Sequence, residues 1–317
     1  MKNTKMRALT ARHTSVQAEK HTIKMCPQSR SMQSGVTLIE LMVGLVIGLL
    51  VVAVAMAALM VSRGISGTVS DASQLQQQGA YAMRVIGGQL RQAGSLYLNP
   101  DPAQSGAASD PKQPVAFETN TQNNPDGNDF DQSNTLANSS TDTTLKTAFR
   151  RYKEAVFTST ADQALSRNCI GLPGNTSNDR SVDSTFTFQN NALVCGGNGQ
   201  TAQPVISNVA EVQFTYLEQR AGAQGTTVLR NKAADVKNWR CVQGVEVCMV
   251  LYGTEPTDMP EGSSYTACAP DTAGKPVKVD MTTLTGERQR RMHLQLRNTF
   301  QLRSQGLLDP ENSCTAS

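Results

Sequence analysis

The chain has 317 residues and a net charge of +3, yet only 17% of its residues are charged. That length suits one large or two ordinary domains. The basic excess sits entirely in residues 1–35, where Lys2, Lys5, Arg7, Arg12, Lys20, Lys24 and Arg30 face a single acid, Glu19; the remainder is net acidic, which excludes a generally basic, nucleic-acid-binding body.

Cysteine parity divides at the same place. Cys26 is the only cysteine before residue 36, and Cys169, Cys195, Cys241, Cys248, Cys268 and Cys314 all lie far downstream. An even set of six fits disulfides formed in an oxidising compartment such as a periplasm; the alternative is six reduced thiols in a cytosolic domain. No small-x-small cleavage site and no lipoprotein-type cysteine follow the apolar run that begins at Leu41.

That run, Leu41 to Val61, carries no charge and is nearly all apolar. As a helix, at about 1.5 Å per residue, it spans a bilayer core of roughly 30 Å. The Lys/Arg excess before it predicts a cytoplasmic N-terminus and a translocated downstream part. Glu40 stands at the mouth of this run, where an ionisable group is expensive and needs a partner.

Gly35 followed by Val36-Thr37-Leu38-Ile39-Glu40-Leu41-Met42-Val43 resembles the class III leader of type IV pilins and type II secretion pseudopilins. In that family a prepilin peptidase cuts after the glycine and methylates the new amine. The resemblance implies a cut between Gly35 and Val36, removal of residues 1–35, and for Glu40 the part of the family's glutamate at mature position five. Many members carry phenylalanine where this chain has Val36. The implied amine at Val36 lies one helical turn from Glu40. In a filament the amine of one subunit can pair with the carboxylate of a neighbour, each offsetting the other's desolvation and setting register. The alternative is a signal-anchor helix whose Glu40 snorkels to lipid headgroups.

The helix continues beyond the apolar run. Ile65, Val69, Ala72, Leu75, Met83, Ile86 and Leu90 recur at mostly three- or four-residue spacing among polar positions, the pattern of an amphipathic helix. Residues 36–94 are therefore expected to form one helix, membrane-spanning over about 41–61 and ending at Gly94 before Pro100 and Pro102. Gly44, Gly48, Gly64, Gly79, Gly87 and Gly88 cost stability in a helix interior and predict bends, close packing or, at Gly87-Gly88, a flexible break.

Residues 95–317 are expected to form a periplasmic β-sheet head with a long polar loop over about 99–144. Within the loop, Asp126, Asn128, Asp129 and Asp131 form an oxygen-rich cluster of the kind calcium accepts, but their spacing is not that of an EF-hand. A solvated acidic turn is the simpler reading, and no cofactor is expected.

Period-two alternation marks four strands: Thr185–Phe188, Val212–Tyr216, Val245–Leu251 and Met292–Leu302, each with one face for a core and one for water. A helical turn is expected between Ala233 and Trp239. An antiparallel sheet on the amphipathic half of the helix buries both apolar faces, an α+β fold of the type IV pilin-like class. The segments Ile206–Tyr216, Trp239 with Val242–Leu251, and Leu294–Arg303 resemble, in order, those of PilW-type minor pilins, which are related to the large J-type minor pseudopilin.

Six cysteines allow 15 connectivities. Proximity favours Cys169 with Cys195, and Cys268 with Cys314 would tie down the C-terminus. Cys241 and Cys248 could join only if the chain turns near Gly244. Signs of catalysis are sparse. His293 is the one histidine after residue 35 and is expected on the solvated face of a strand. Arg288, Arg290, Arg291, Arg297 and Arg303 form a basic stripe, read as a solvated strand face or a contact for an acidic neighbour, since no interleaved aromatics support nucleic-acid binding.

The reading is a non-enzymatic minor pilin subunit that primes or supports pilus assembly near the tip. Its implied partners are the prepilin peptidase, other minor and major pilins, a tip adhesin and the inner membrane. A type II secretion pseudopilin of the J type, and a membrane-anchored DNA-uptake or ligand-binding module, are the alternatives.

Overall fold

The computed structural model describes residues 35–96, 98–99, 116–117, 130, 134–136, 140–222, 225–303 and 314. The acidic cluster Asp126, Asn128, Asp129 and Asp131 lies outside them. The chain divides into two compact units, Met1–Ala57 and Ala58–Ser317.

One helix, α1 (Leu38–Gln92), runs through both units. It is capped at the start by Thr37, whose hydroxyl accepts the Glu40 N–H at 3.3 Å and whose carbonyl accepts the Leu41 N–H at 3.1 Å. It ends at Gln92. Gly94 takes a left-handed φ of 72°, open to glycine without steric cost, and its N–H donates to the Ala148 carbonyl. Among the described residues it is one helix long and apolar enough to cross a membrane.

The head is antiparallel throughout, but it is built from two four-stranded sheets where the sequence suggested one. The first contains β3 (Thr144–Arg150), β4 (Ser181–Gln189), β5 (Ala192–Gly197) and β6 (Gln200–Ser207) in the order β3-β4-β5-β6. The second contains β7 (Val209–Gly222), β8 (Gly225–Asn231), β9 (Val242–Pro256) and β12 (Arg291–Gln301) in the order β12-β9-β7-β8. The chain crosses between sheets at Asn208, in left-handed conformation with φ 57°. Two short pairs complete the head: β1 (Leu98–Asn99) with β2 (Ala116–Phe117), and β10 (Ser264–Pro270) with β11 (Pro276–Asp280). The predicted helical turn is present as two 3-10 turns, Ala233–Asp235 and Trp239–Cys241.

Within the unit that begins at Ala58, one stripe of α1 closes the main core. Leu75, Ala82, Met83, Ile86 and Leu90 meet Phe186 and Leu193 of the first sheet and Val212, Phe214, Val247 and Met249 of the second. Two of the helix glycines are explained by close approach. A Cβ at Gly79 would overlap Leu296, and one at Gly87 would overlap the Phe300 ring. Gly88, by contrast, has open space beside it. The Gly87-Gly88 pair is therefore unbroken helix pressed against a strand.

The second sheet is buried on both faces along β9, contrary to the one-face expectation. Val245, Val247, Met249 and Leu251 enter the main core, while Cys248 and Val250 lie under the β10–β11 hairpin with Tyr265 and Cys268.

The disulfides join Cys169 to Cys195, Cys248 to Cys268, and Cys241 to Cys314. The pairing of Cys268 with Cys314 suggested by sequence order is replaced because the hairpin lays Cys268 over Cys248. Cys314 instead comes alongside β7, where its carbonyl accepts the Ala221 N–H at 2.7 Å.

Candidate functional site

The N-terminal segment contributes Gly35, Val36 and Thr37 ahead of the helix and then the first turn of α1 with Glu40. Thr37-Leu38-Ile39-Glu40 has the Thr-x-x-Glu spacing of a capping box, a signal present in the sequence and overlooked there. It fixes where the helix begins, at Leu38, two residues after the implied new N-terminus Val36. Glu40 lies in the first turn, where the helix dipole favours an acid. Gly35, Val36 and Glu40 are all exposed.

From Val36 to Val61 every large apolar side chain is at least half exposed, Val52 at 50% being the least so. Soluble monomers rarely leave a contiguous apolar patch above a few hundred Å². This surface therefore requires lipid or other helices as its solvent, and a lone carboxylate at its entrance has no cation of its own helix within the next turns to neutralise it.

The polar groups of the head are turned inward. His293, expected on a solvated face, is buried at 7% exposure. Its ring stacks on Tyr265 with centroids 4.7 Å apart and planes at 10°. Arg288 Nε donates to His293 Nε2 at 3.1 Å, which leaves the proton on Nδ1, 2.8 Å from the Arg291 carbonyl oxygen. Burial pulls the His293 pKa down to about 4, against the opposing pull of that carbonyl. Around it, Tyr265 donates to Glu211 at 2.8 Å and Tyr252 to Glu287 at 3.2 Å. Burial raises the pKa of both tyrosines. Neither histidine nitrogen is open for proton transfer in this arrangement.

Four arginines of the basic stripe are engaged within the head, and Arg303 is exposed. Arg297 pairs with Glu246 at 2.5 Å and Arg290 with Asp258 at 2.6 Å. Arg291 donates to the carbonyls of Gly253 and Thr254, and Arg288 to His293 and the Tyr265 hydroxyl. The hairpin over β9 turns part of what alternation marks as a water face into a polar interior holding Glu246 and His293, whereas the Arg290–Asp258 pair stands in solvent.

Buried polar groups that the sequence did not single out hold the head's layers together. Glu218, 1% exposed, accepts from Arg220, Asn231 and the N–H groups of Lys237 and Asn238. Arg151, also 1% exposed, donates to the carbonyls of Gly174, Ser177 and Asp179, gathering the long β3–β4 connection around it. Gln89 of α1 accepts from Ser184 at 2.9 Å and donates to the Arg167 carbonyl at 3.2 Å. Among the described residues no group of three or more His, Cys, Asp or Glu is arranged to hold a metal ion.

Residues 30–56 match the prokaryotic N-terminal methylation motif. No curated protein matches the chain. Among solved structures, a type IV-like pilin from Thermus thermophilus is similar at 15% identity, over 72% of this chain and 94% of that one, with a TM-score of 0.33.

Proposed function

We propose that this chain is a type IV pilin-family subunit, a minor pilin of the PilW type that is cut between Gly35 and Val36, methylated at the Val36 amine and assembled into a pilus near its tip. The observation that carries this is the methylation motif over residues 30–56, which encloses Gly35, Val36, Glu40 and the start of a helix whose apolar surface is uncovered. The helix-on-antiparallel-sheet architecture agrees with it.

In this mechanism the apolar part of α1 first holds the protein in the inner membrane, with residues 1–35 cytoplasmic and the head periplasmic. Assembly then exchanges lipid for neighbouring pilin helices. Removal of the leader leaves a cation at Val36, four residues before Glu40. Pairing that amine with a neighbour's Glu40 neutralises both groups as they leave water and fixes one subunit's height against the next. The prepilin peptidase, other minor and major pilins and a tip adhesin are the partners.

Mass spectrometry of the mature chain tests the proposal: an N-methylated Val36 is expected, and an intact leader would overturn it. Glu40→Ala should leave membrane insertion and cleavage intact and reduce incorporation into filaments; wild-type incorporation would remove the pairing step.

A further inference from the structure

A cleft of about 490 Å³ opens between α1 and the end of β9, within the unit that begins at Ala58. That volume is in the range of sites that take small molecules, roughly 300–1,000 Å³. Its direction follows from the packing along the helix. Phe300, paired with Val245, lies against Gly87, and Leu296, paired with Met249, lies against Gly79. Thr254 is then bonded to Asp71. β9 therefore runs towards the apolar end of α1, and the cleft residues Glu255 to Thr257 lie on the Arg63 side of Asp71.

The lining holds groups that the head itself does not use. Gly64 and Gly67, one turn apart on α1, both border the cleft. Glycine is costly in a helix interior, and a Cβ at either position meets nothing within 4 Å. Gly79 and Gly87 make room for side chains of β12, whereas Gly64 and Gly67 open onto the cleft. Asp71 lines the same cleft at 3% exposure, and its Oδ2 has no hydrogen-bond partner. Arg63 and Glu255 are exposed at the cleft, and among the described residues neither is paired with an opposite charge.

Position decides what reaches these groups. Arg63 follows Val61, the end of the apolar run, by about 3 Å of helix rise. The headgroup layer outside a bilayer's hydrocarbon core is about 5–8 Å thick on each side. With the apolar run in the bilayer, the Arg63 end of the cleft opens into that layer. We propose that the cleft binds the headgroup of an amine-bearing phospholipid, with the phosphate on Arg63 and the ammonium on Glu255. The inference rests on the membrane-bound reading of α1. Charge selects the lipid class. An anionic headgroup would meet two acids, Asp71 and Glu255, against one cation. A choline headgroup has no N–H to give a carboxylate, whereas a primary ammonium donates charge-assisted hydrogen bonds. A headgroup held here fixes the depth and rotation of the helix in the bilayer before assembly.

The test inserts the full chain into vesicles of equal parts phosphatidylethanolamine, phosphatidylcholine and phosphatidylglycerol. Ser66, exposed next to Gly67 in the helix, is replaced by the photo-crosslinker p-benzoylphenylalanine. Mass spectrometry should find the ethanolamine lipid enriched about three- to tenfold in the adducts over each of the others. Glu255→Gln should abolish the preference over phosphatidylcholine, and Arg63→Gln should lower the ethanolamine adduct about two- to tenfold. Both side chains are exposed, so unfolding of the head followed by Trp239 should not change. Equal adducts of the three lipids, a preference for the glycerol headgroup, or an unchanged preference in Glu255→Gln would each overturn the inference. Vesicle flotation is read in the same sample. A floating chain with no ethanolamine preference sinks this site and leaves the membrane reading standing, whereas a chain that does not float sinks both.

Discussion

Asp71 of α1 and Thr254 of β9, 183 positions apart, are joined by two hydrogen bonds to one carboxylate oxygen: the Thr254 N–H donates to Asp71 Oδ1 at 2.8 Å and its hydroxyl at 3.1 Å. Asp71 is 3% exposed, and its Oδ2 lies against Gly253 with no hydrogen-bond partner. The tie fixes the rotation of the helix over the second sheet, because only glycine at 253 leaves room for the carboxylate. Asp71→Ala should cost about 1–3 kcal/mol, the price of leaving Thr254 unsatisfied. Asp71→Asn keeps an acceptor for Thr254 and removes a buried charge, so it should cost less. Gly253→Ala should destabilise by overlap. Thermal unfolding followed by Trp239, the chain's single tryptophan, ranks the three; an Asn variant less stable than the Ala variant would contradict this account.

The neighbouring glycines Gly87 and Gly88 should respond in opposite directions. A Cβ at Gly87 meets the Phe300 ring, so Gly87→Ala should cost about 1–3 kcal/mol through overpacking. A Cβ at Gly88 meets nothing within 4 Å, so Gly88→Ala should gain up to about 1 kcal/mol from helix propensity. Equal effects at the two positions would mean that the helix bends there instead of packing.

The His293 cluster gives the head a pH dependence of definite sign. The folded pKa is about 4, below the ordinary value of 6.5. Between those values the unfolded chain takes up a proton that the folded chain refuses, so stability falls as pH drops from 6.5 towards 4 and levels off below. The facing groups are Arg288, whose charge opposes a second positive charge, the Arg291 carbonyl and Glu211, which favour one, and Tyr265, Tyr252 and Glu287. With the partial exposure of the surroundings discounted, the loss should be on the order of 1–2 kcal/mol. Unfolding midpoints at pH 7 and pH 4.5 measure it. His293→Gln should shrink the difference; an unchanged difference would assign it to the carboxylates.

Features set by neighbouring residues are legible in the sequence; those set by remote ones are not. The N-terminus of α1, its apolar spacing and its stop at Gly94 depend on residues within a few positions of each other. So do the core positions Val245, Val247, Met249 and Leu251. Glu246, Cys248 and His293 were assigned to water because alternation reports two faces without reporting what covers the second. Here the cover is the β10–β11 hairpin, whose Tyr265 and Cys268 are remote in sequence from β9. The edge strand β8 was missed for the opposite reason: Val228 and Leu229 are both exposed, so its pattern records no core at all. The candidate processing segment, Gly35 to Glu40, is a local motif that can be written down from sequence alone, as can the Thr37-x-x-Glu40 capping spacing within it.

The disulfide pattern makes a prediction specific to the C-terminus. Cys241 and Cys314 are 73 positions apart, so opening this bridge should cost about 4 kcal/mol in the chain-entropy account, against about 3 for the 20-position Cys248–Cys268 bridge. The difference is small, but the products of cleavage are not alike. Arg303 is exposed and lies between the end of β12 and Cys314. Limited trypsin cleavage after Arg303 should therefore leave residues 304–317 attached through Cys314 to Cys241, and release them only after reduction. In a Cys241→Ser, Cys314→Ser variant the same peptide should leave without reductant, while the Cys248–Cys268 hairpin stays joined. Mass spectrometry before and after reduction reads both events; since residues 304–317 hold no cysteine in that double variant, retention of the peptide there would show that something other than this bridge keeps the C-terminus in place.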